Sequence, residues 1–247
     1  MISRYPPFII DERQISAGSG AMLMSETHFS LLFLGKAGDP DCARALEFCQ
    51  RSFAQVEYCL GKWGDPLPPN IQNWEGDYIV SYLSRWVVPE ALLRRAHKAA
   101  INFHPASPDY PGIGCNNFAL YENASEYGVT CHHMAPRVDT GQIIAVKRFP
   151  VLPEDDVAAL LKRTYEHQLA LFFEIAQLMA DGKELPASEE RWTRPPLTRR
   201  QFNELFQITP DMPKEEIARR IRAISYGPYQ PYVELDGYRF EYKPPLD

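Results

Sequence analysis

"FSLLFLG" spans Phe29–Gly35, and its reading decides the fold. Five of its first six residues are apolar without alternation, and a glycine ends the run. A strand that is apolar on both faces belongs in a parallel sheet covered on both sides. The following stretch, "GDPDCARALEFCQRSF" (Gly38–Phe53), supplies a covering helix. Asp39 can cap it, Pro40 suits its first position, and Cys42, Ala45, Leu46, Cys49 and Phe53 recur on one face. Further outward, "VEYCL" (Val56–Leu60), "DYIVSYL" (Asp77–Leu83) and "AAINFH" (Ala99–His104) read as strands. "PEALLRRAHK" (Pro89–Lys98) reads as a helix begun by Pro89. This alternation predicts an α/β, Rossmann-like core with a mostly parallel sheet and helices on both faces. The turn after the first strand, "GKAGDP", lacks G-x-G-x-x-G, so a dinucleotide cofactor is not expected.

The pattern continues with strands "GVTCHHM" (Gly128–Met134) and "GQIIAVKRFPV" (Gly141–Val151), joined by the loop "APRVDT". The longest expected helix has Glu154, Asp155 and Asp156 at its positive end. Val157, Leu161, Thr164, Gln168, Phe172, Ile175 and Met179 advance at helical spacing, and Gly182 stops it. The expected organisation is an N-terminal arm over 1–27, a catalytic domain over 28–182 and a C-terminal extension over 183–247. The extension reads as a Pro- and Arg-rich connector over 183–200, a helix "PKEEIARRIRAI" with an isoleucine stripe, and a small hairpin turning at Asp236-Gly237.

At 247 residues the chain suits one medium domain, or a catalytic domain with an appendage. A net charge of -6 gives no reason to expect a nucleic-acid partner. The cluster Arg191, Arg194, Arg199 and Arg200 reads as a solvated linker. No apolar run approaches the ~18 residues of a membrane span, and Pro6 and Pro7 break the N-terminus, so neither an anchor nor a secretory signal is expected. Five cysteines without metal-type spacing are expected to be reduced thiols in a cytoplasmic protein. Cys131, next to two histidines, is read as a small buried side chain rather than a nucleophile.

Three of the six histidines fall in one segment, "INFHPASPDYPGIGCNNFALYENASEYGVTCHHMAPRVDTGQII" (Ile101–Ile144). Open parallel sheets bind ligands beyond the carboxyl ends of their strands. Asn102 and His104 lie two apart at such an end and share a face. Asp139, just before Gly141, can return to the same crevice. An imidazole that takes a proton, an amide that donates to an oxyanion, and a carboxylate that supports the imidazole suit transfer of a carbonyl group to an amine. One His with one Asp is thin for zinc, and no metal is expected. His132 and His133 are adjacent and face opposite sides of a strand. On the residues alone, a catalytic set and a hydrogen-bonded structural histidine both stay open.

"INFHPASPDYPG" resembles the N-x-H-P-S-x-x-P-x-x-x-G signature of the folate-dependent formyltransferases. "GVTCHHMAPRVDTGQII" is similar to the G-V-T-x-H-x-M-x-x-x-x-D-x-G-x-I-I block that follows it in that family. The resemblance implies a formyl group carried by N10-formyltetrahydrofolate and delivered to an amine. It implies catalytic roles for Asn102, His104 and Asp139, and a place near the donor for His132. "SYLSRWVVPEALL" looks like the family strand that receives the pterin on its main chain, which puts Ser84, Arg85, Trp86 and Val87 beside the folate. Trp86 reads equally well as core packing. Two departures stand out: Ala106 replaces the family serine, and Pro111 replaces an arginine.

Among the branches, the chain most resembles the sugar N-formyltransferases, whose compact members end in a helix and hairpin like "RRIRAISYGPYQPYVELDGYRFEY". The tail is too short and the chain too acidic for the basic barrel of a methionyl-tRNA formyltransferase. The expected acceptor is a dTDP- or GDP-linked amino-deoxy sugar destined for O-antigen or another surface polysaccharide. Tyr110 and Asn116 are the candidates for sugar contact. Tyr226 and Tyr229, with Tyr232, could line a nucleotide pocket, form a homodimer contact, or simply pack on the body. The alternatives are another amine acceptor, such as hydroxyornithine or methionyl-tRNA, and a non-catalytic binding relative.

Overall fold

The structure, a computed structural model, describes residues 28–243. The arm expected over 1–27 lies outside the described residues. Six strands form the central sheet: β1 (Ser30–Lys36), β2 (Gln55–Gly61), β3 (Gly76–Tyr82), β4 (Ala96–His104), β5 (Glu126–His133) and β6 (Ile143–Pro150), in the order β2-β1-β3-β4-β5-β6. The first four run parallel, β5 returns antiparallel beside β4, and β6 lies antiparallel beside β5. The helices are α1 (Pro40–Ser52), α2 (Glu90–Leu93), α3 (Cys115–Tyr121), α4 (Val157–Ala180), α5 (Arg199–Glu204) and α6 (Lys214–Ile224).

The opening run behaves as its composition demands. Leu31 and Phe33 enter the large core with α1 and α4, while Leu32 and Leu34 enter a smaller one with Ile71, Trp74 and Leu92. Each such burial contributes about 2 kcal/mol, so neither face of β1 can be left to solvent. Asp39 accepts from the Cys42 N–H at 3.1 Å and starts α1, with Pro40 in its first turn. Asp156 accepts from the Ala159 N–H at 2.8 Å and starts α4. The hairpin turns at Asp236 and Gly237, with φ of 50° and 81°, between β8 (Tyr232–Leu235) and β9 (Tyr238–Glu241). With β7 (Gln207–Ile208) they form a small second sheet.

Several expectations are corrected. The helix read over Pro89–Lys98 is a single turn, and β4 begins at Ala96. Strand β3 captures those residues: the Gly76 N–H donates to the Arg95 carbonyl at 3.2 Å, and Gly76 pairs with Ala96. Helix α3 was not foreseen. On α6 the isoleucine stripe is only half-buried at Ile217 and Ile221, and Ala223 and Ile224 carry the burial. The stretch 183–200 is no solvated linker. Ser188 N–H donates to Ile143 O at 3.0 Å, Thr193 N–H to Pro108 O at 3.2 Å, and Leu197 N–H to Pro111 O at 2.8 Å, which ties it across the loop after β4. Arg194 is held by both oxygens of Glu122, at 2.7 and 2.9 Å. All five cysteines are free thiols. No helix among the described residues is long and apolar enough to cross a membrane.

Candidate active site

The site is built on the end of β4. Asn102 and His104 point one way, and Phe103 between them enters the large core. The carbonyls that follow are each held by a side chain. Gln168 on α4 donates to Phe103 O at 2.7 Å, Tyr127 to Pro105 O at 3.0 Å, and Thr130 to Ala106 O at 2.7 Å. The motif is therefore fixed before any ligand arrives. It is also one residue shorter between Pro105 and Pro108 than the signature it resembles.

Asp139 reaches the same place from the β5–β6 loop. Its φ is 48°, in the left-handed region, which Asp tolerates better than most residues. Two positions on, a Cβ at Gly141 would lie 1.7 Å from the His133 carbonyl oxygen. Only glycine lets the loop cross β5 there, which gives the Asp-x-Gly spacing its physical reason. Gly112, at φ 94°, donates its N–H to Asp139 Oδ2 at 2.8 Å, and its own Cβ position is filled by the Leu197 backbone.

His104 Nε2 lies 2.9 Å from the Tyr110 carbonyl. A carbonyl can only accept, so that nitrogen carries a hydrogen and the neutral ring has its lone pair on Nδ1. Nδ1 stands 3.3 Å from Asp139 Oδ2. A proton gained at Nδ1 thus sits against a buried carboxylate. Burial opposes ionisation of Asp139, but His104, His132 and the Gly112 N–H outweigh it and hold the carboxyl at about 2. The group is an anion at neutral pH and ready to stabilise a cationic imidazole.

Asn102 pairs directly with His132 across β4 and β5, and its amide nitrogen lies 3.1 Å from His132 Nε2. His132 Nδ1 donates to the His133 carbonyl at 2.8 Å, and its Nε2 stands between the Asn102 amide and Asp139 Oδ1, 3.4 Å away. The Asn102 amide also lines the first of two clefts. Cys131 is fully buried, burial pushes its thiol up, and it lines neither cleft.

Two clefts meet here. One, of about 380 Å³, brings Asn102, His104, His132 and Asp139 together with Ser84, Arg85, Trp86 and Val87. The main-chain N–H groups of Arg85, Val87 and Val88 donate to no group among the described residues. Leu83, at φ 53°, turns that segment out of the sheet. Trp86 does both things read for it: it packs in the smaller core, its Nε1–H donates to Asp65 O at 2.8 Å, and one side lines the cleft. The second cleft, of about 600 Å³, holds Asn116, Tyr226 and Tyr229 with Arg199, Phe202 and Phe206. Both clefts share Trp63, Arg85, Pro105, Gly112, Ile113, Cys115 and Tyr165.

Tyr110 is a correction. Its ring is 5% exposed, packs on Tyr127 and under Arg194, and lines neither cleft. Only its carbonyl touches the site. Three residues escaped the sequence reading. Trp63 is 70% exposed, with Arg85 and Arg199 stacked 5.9 and 5.3 Å from its ring. Trp192 and Cys115 also adjoin His104. The loop "KWGDPLPP" carried no periodic signal to mark Trp63, and nothing near Trp192 in sequence belongs to the site.

Fold and site together define the class: an α/β protein with a buried His–Asp pair and a neighbouring amide at the carboxyl end of a parallel sheet. Residues 66–175 match the model of the formyl transferase family. It is 31% identical over 146 residues to a methionyl-tRNA formyltransferase of Dictyoglomus thermophilum, a match covering 58% of this chain and 46% of the other. The chain thus spans about half the length of that relative. It is 28% identical to the GDP-perosamine N-formyltransferase of Brucella melitensis, over 71% of this chain and 67% of that enzyme. Among solved structures, it shares the fold of an N-formyltransferase from Helicobacter canadensis in complex with folinic acid and dTDP-3-aminofucose, with a TM-score of 0.66, 19% identity and 84% of each chain covered.

Proposed function

We propose that the protein transfers a formyl group from N10-formyltetrahydrofolate to the amine of a nucleotide-linked amino sugar. One observation carries this reading: two clefts of different chemistry meet beside His104. The first offers apolar walls and main-chain N–H groups at Arg85, Val87 and Val88 without acceptors among the described residues, which fit the flat, polar-edged ring of a pterin. The second offers aromatic side chains and two arginines, Arg85 and Arg199, that have no carboxylate partner among the described residues. Those suit a base and a diphosphate.

The donor supplies an activated formyl group. The Asn102 amide, which lines the first cleft, donates to the oxygen on which charge develops. His104 Nδ1 takes the proton of the attacking amine, Asp139 stabilises the cation that results, and the proton then passes to N10 as the N10–carbon bond breaks and tetrahydrofolate leaves. The acceptor amine must arrive neutral to attack, and the buried anion of Asp139 disfavours no neutral group. The carrier we favour is dTDP or GDP, the setting cytoplasmic, and the product a precursor of surface polysaccharide such as O-antigen.

The test is a thermal-shift panel with folinic acid, dTDP, GDP and UDP, followed by formylation assays with the matching amino sugar. A shift with folinic acid and with one nucleotide is expected. His104→Ala should keep both shifts and lose activity by about 10²- to 10⁴-fold. No shift with folinic acid would end the reading, and a folate shift without any nucleotide shift would move the acceptor to a smaller amine.

A further inference from the structure

Trp192 lies in the connector that the sequence reads as a Pro- and Arg-rich linker, yet it meets the supports of all three proposed reacting groups. Its ring stands 5.7 Å from that of His104 and 5.1 Å from that of His132, at interplanar angles of 71° and 86°. Its Nε1–H donates to the Gly141 carbonyl at 2.8 Å, two residues from Asp139. His132 in turn holds the Asn102 amide. The connector is itself pinned on either side of Trp192, by Ser188 N–H to Ile143 O at 3.0 Å and by Leu197 N–H to Pro111 O at 2.8 Å.

We infer that Trp192 is a positioning residue for the formyl transfer proposed above, on which this inference rests: it sets the plane of both imidazoles and the height of the Asp139 loop. An imidazole pinned along one axis, between Tyr110 O on Nε2 and Asp139 on Nδ1, can still rock about that axis. A perpendicular indole beside it removes that freedom, and the same indole also backs His132. The carboxylate that must meet His104 Nδ1 hangs from a loop whose one contact to the connector's indole is the Gly141 bond. The C-terminal extension is therefore part of the catalytic framework.

The test uses the full chain with Trp192→Leu, which keeps apolar bulk but removes the planar ring and the N–H, and Trp192→Phe, which keeps an aromatic ring and removes the N–H. Both are studied at a temperature where circular dichroism shows them folded. The first readout needs no substrate. In histidine-labelled protein the imidazole resonances of His104 and His132 should move in Trp192→Leu, while those of His28, His97 and His167 stay. The second is kinetic: kcat should fall about 10- to 100-fold with KM for both substrates within a factor of about three, the pattern of misplaced reacting groups rather than lost binding. Trp192→Phe should recover part of kcat. Unmoved His104 and His132 resonances with a wild-type kcat would overturn the inference. Should Trp192→Leu not fold, Trp192→Phe decides: unchanged resonances and kcat there overturn it equally. If the wild type formylates no amino sugar, the resonances still judge Trp192, and the failure belongs to the proposed function alone.

Discussion

Asp139 combines a left-handed backbone, a buried carboxylate and two histidine neighbours. Its folded value of about 2 lies below the ordinary 3.8. Above 3.8 the carboxylate is charged in both folded and unfolded chains, and its native contacts stabilise the fold in full. As pH falls from about 4 to about 2, the unfolded chain takes up the proton first, and about 2 kcal/mol is lost. Urea denaturation should therefore show the wild type losing more stability over that window than Asp139→Asn. The same variant should lower kcat by about 10²-fold or more at neutral pH, because His104 loses the partner of its charged form. Gly141→Ala is the harsher change. Its methyl would meet the His133 carbonyl oxygen at 1.7 Å, so the loop or β5 must shift. We expect a loss of about 3 kcal/mol or more in chemical denaturation, with activity falling alongside.

At the scale of elements, the antiparallel return of β5 beside β4 decides which histidine matters. The register pairs Asn102 with His132 and His104 with Thr130, so His132 and not His133 faces the amide. Long α4 does more than cover the sheet, since Gln168 reaches the carbonyl of Phe103 from its buried face. The start of α4 depends on Asp156, and Asp156→Ala should cost about 1 kcal/mol in urea without changing kcat. The short α2 carries a different lesson. Pro89 and a run of helix formers predict two or three turns, yet an edge left open by β3 takes the residues from Ala96 onward. Pairing across the sheet outweighs local helix preference there. The capping box of Thr198 and Gln201 was readable, but the Pro-rich stretch before it hid the six-residue helix it starts.

At the scale of the molecule, two clefts share a wall formed by Pro105, Gly112, Ile113 and Cys115. If they divide donor and acceptor as proposed, Arg199→Ala should weaken nucleotide binding about tenfold or more in calorimetry and leave folinic acid binding unchanged. The sequence by itself determined the strand alternation, the caps of α1 and α4 and the hairpin turn, and it put Asn102 and His104 on one face of a strand end. Those follow from periodicity and from residue types that act on their immediate neighbours, with the family motifs adding to them. Only the tertiary structure decided that the Tyr110 carbonyl meets His104, that His132 meets the Asn102 amide, and that Trp63 and Trp192 adjoin the cleft. Each of those roles comes from a contact between segments distant in the chain, and no local pattern of apolar and polar residues encodes such a contact.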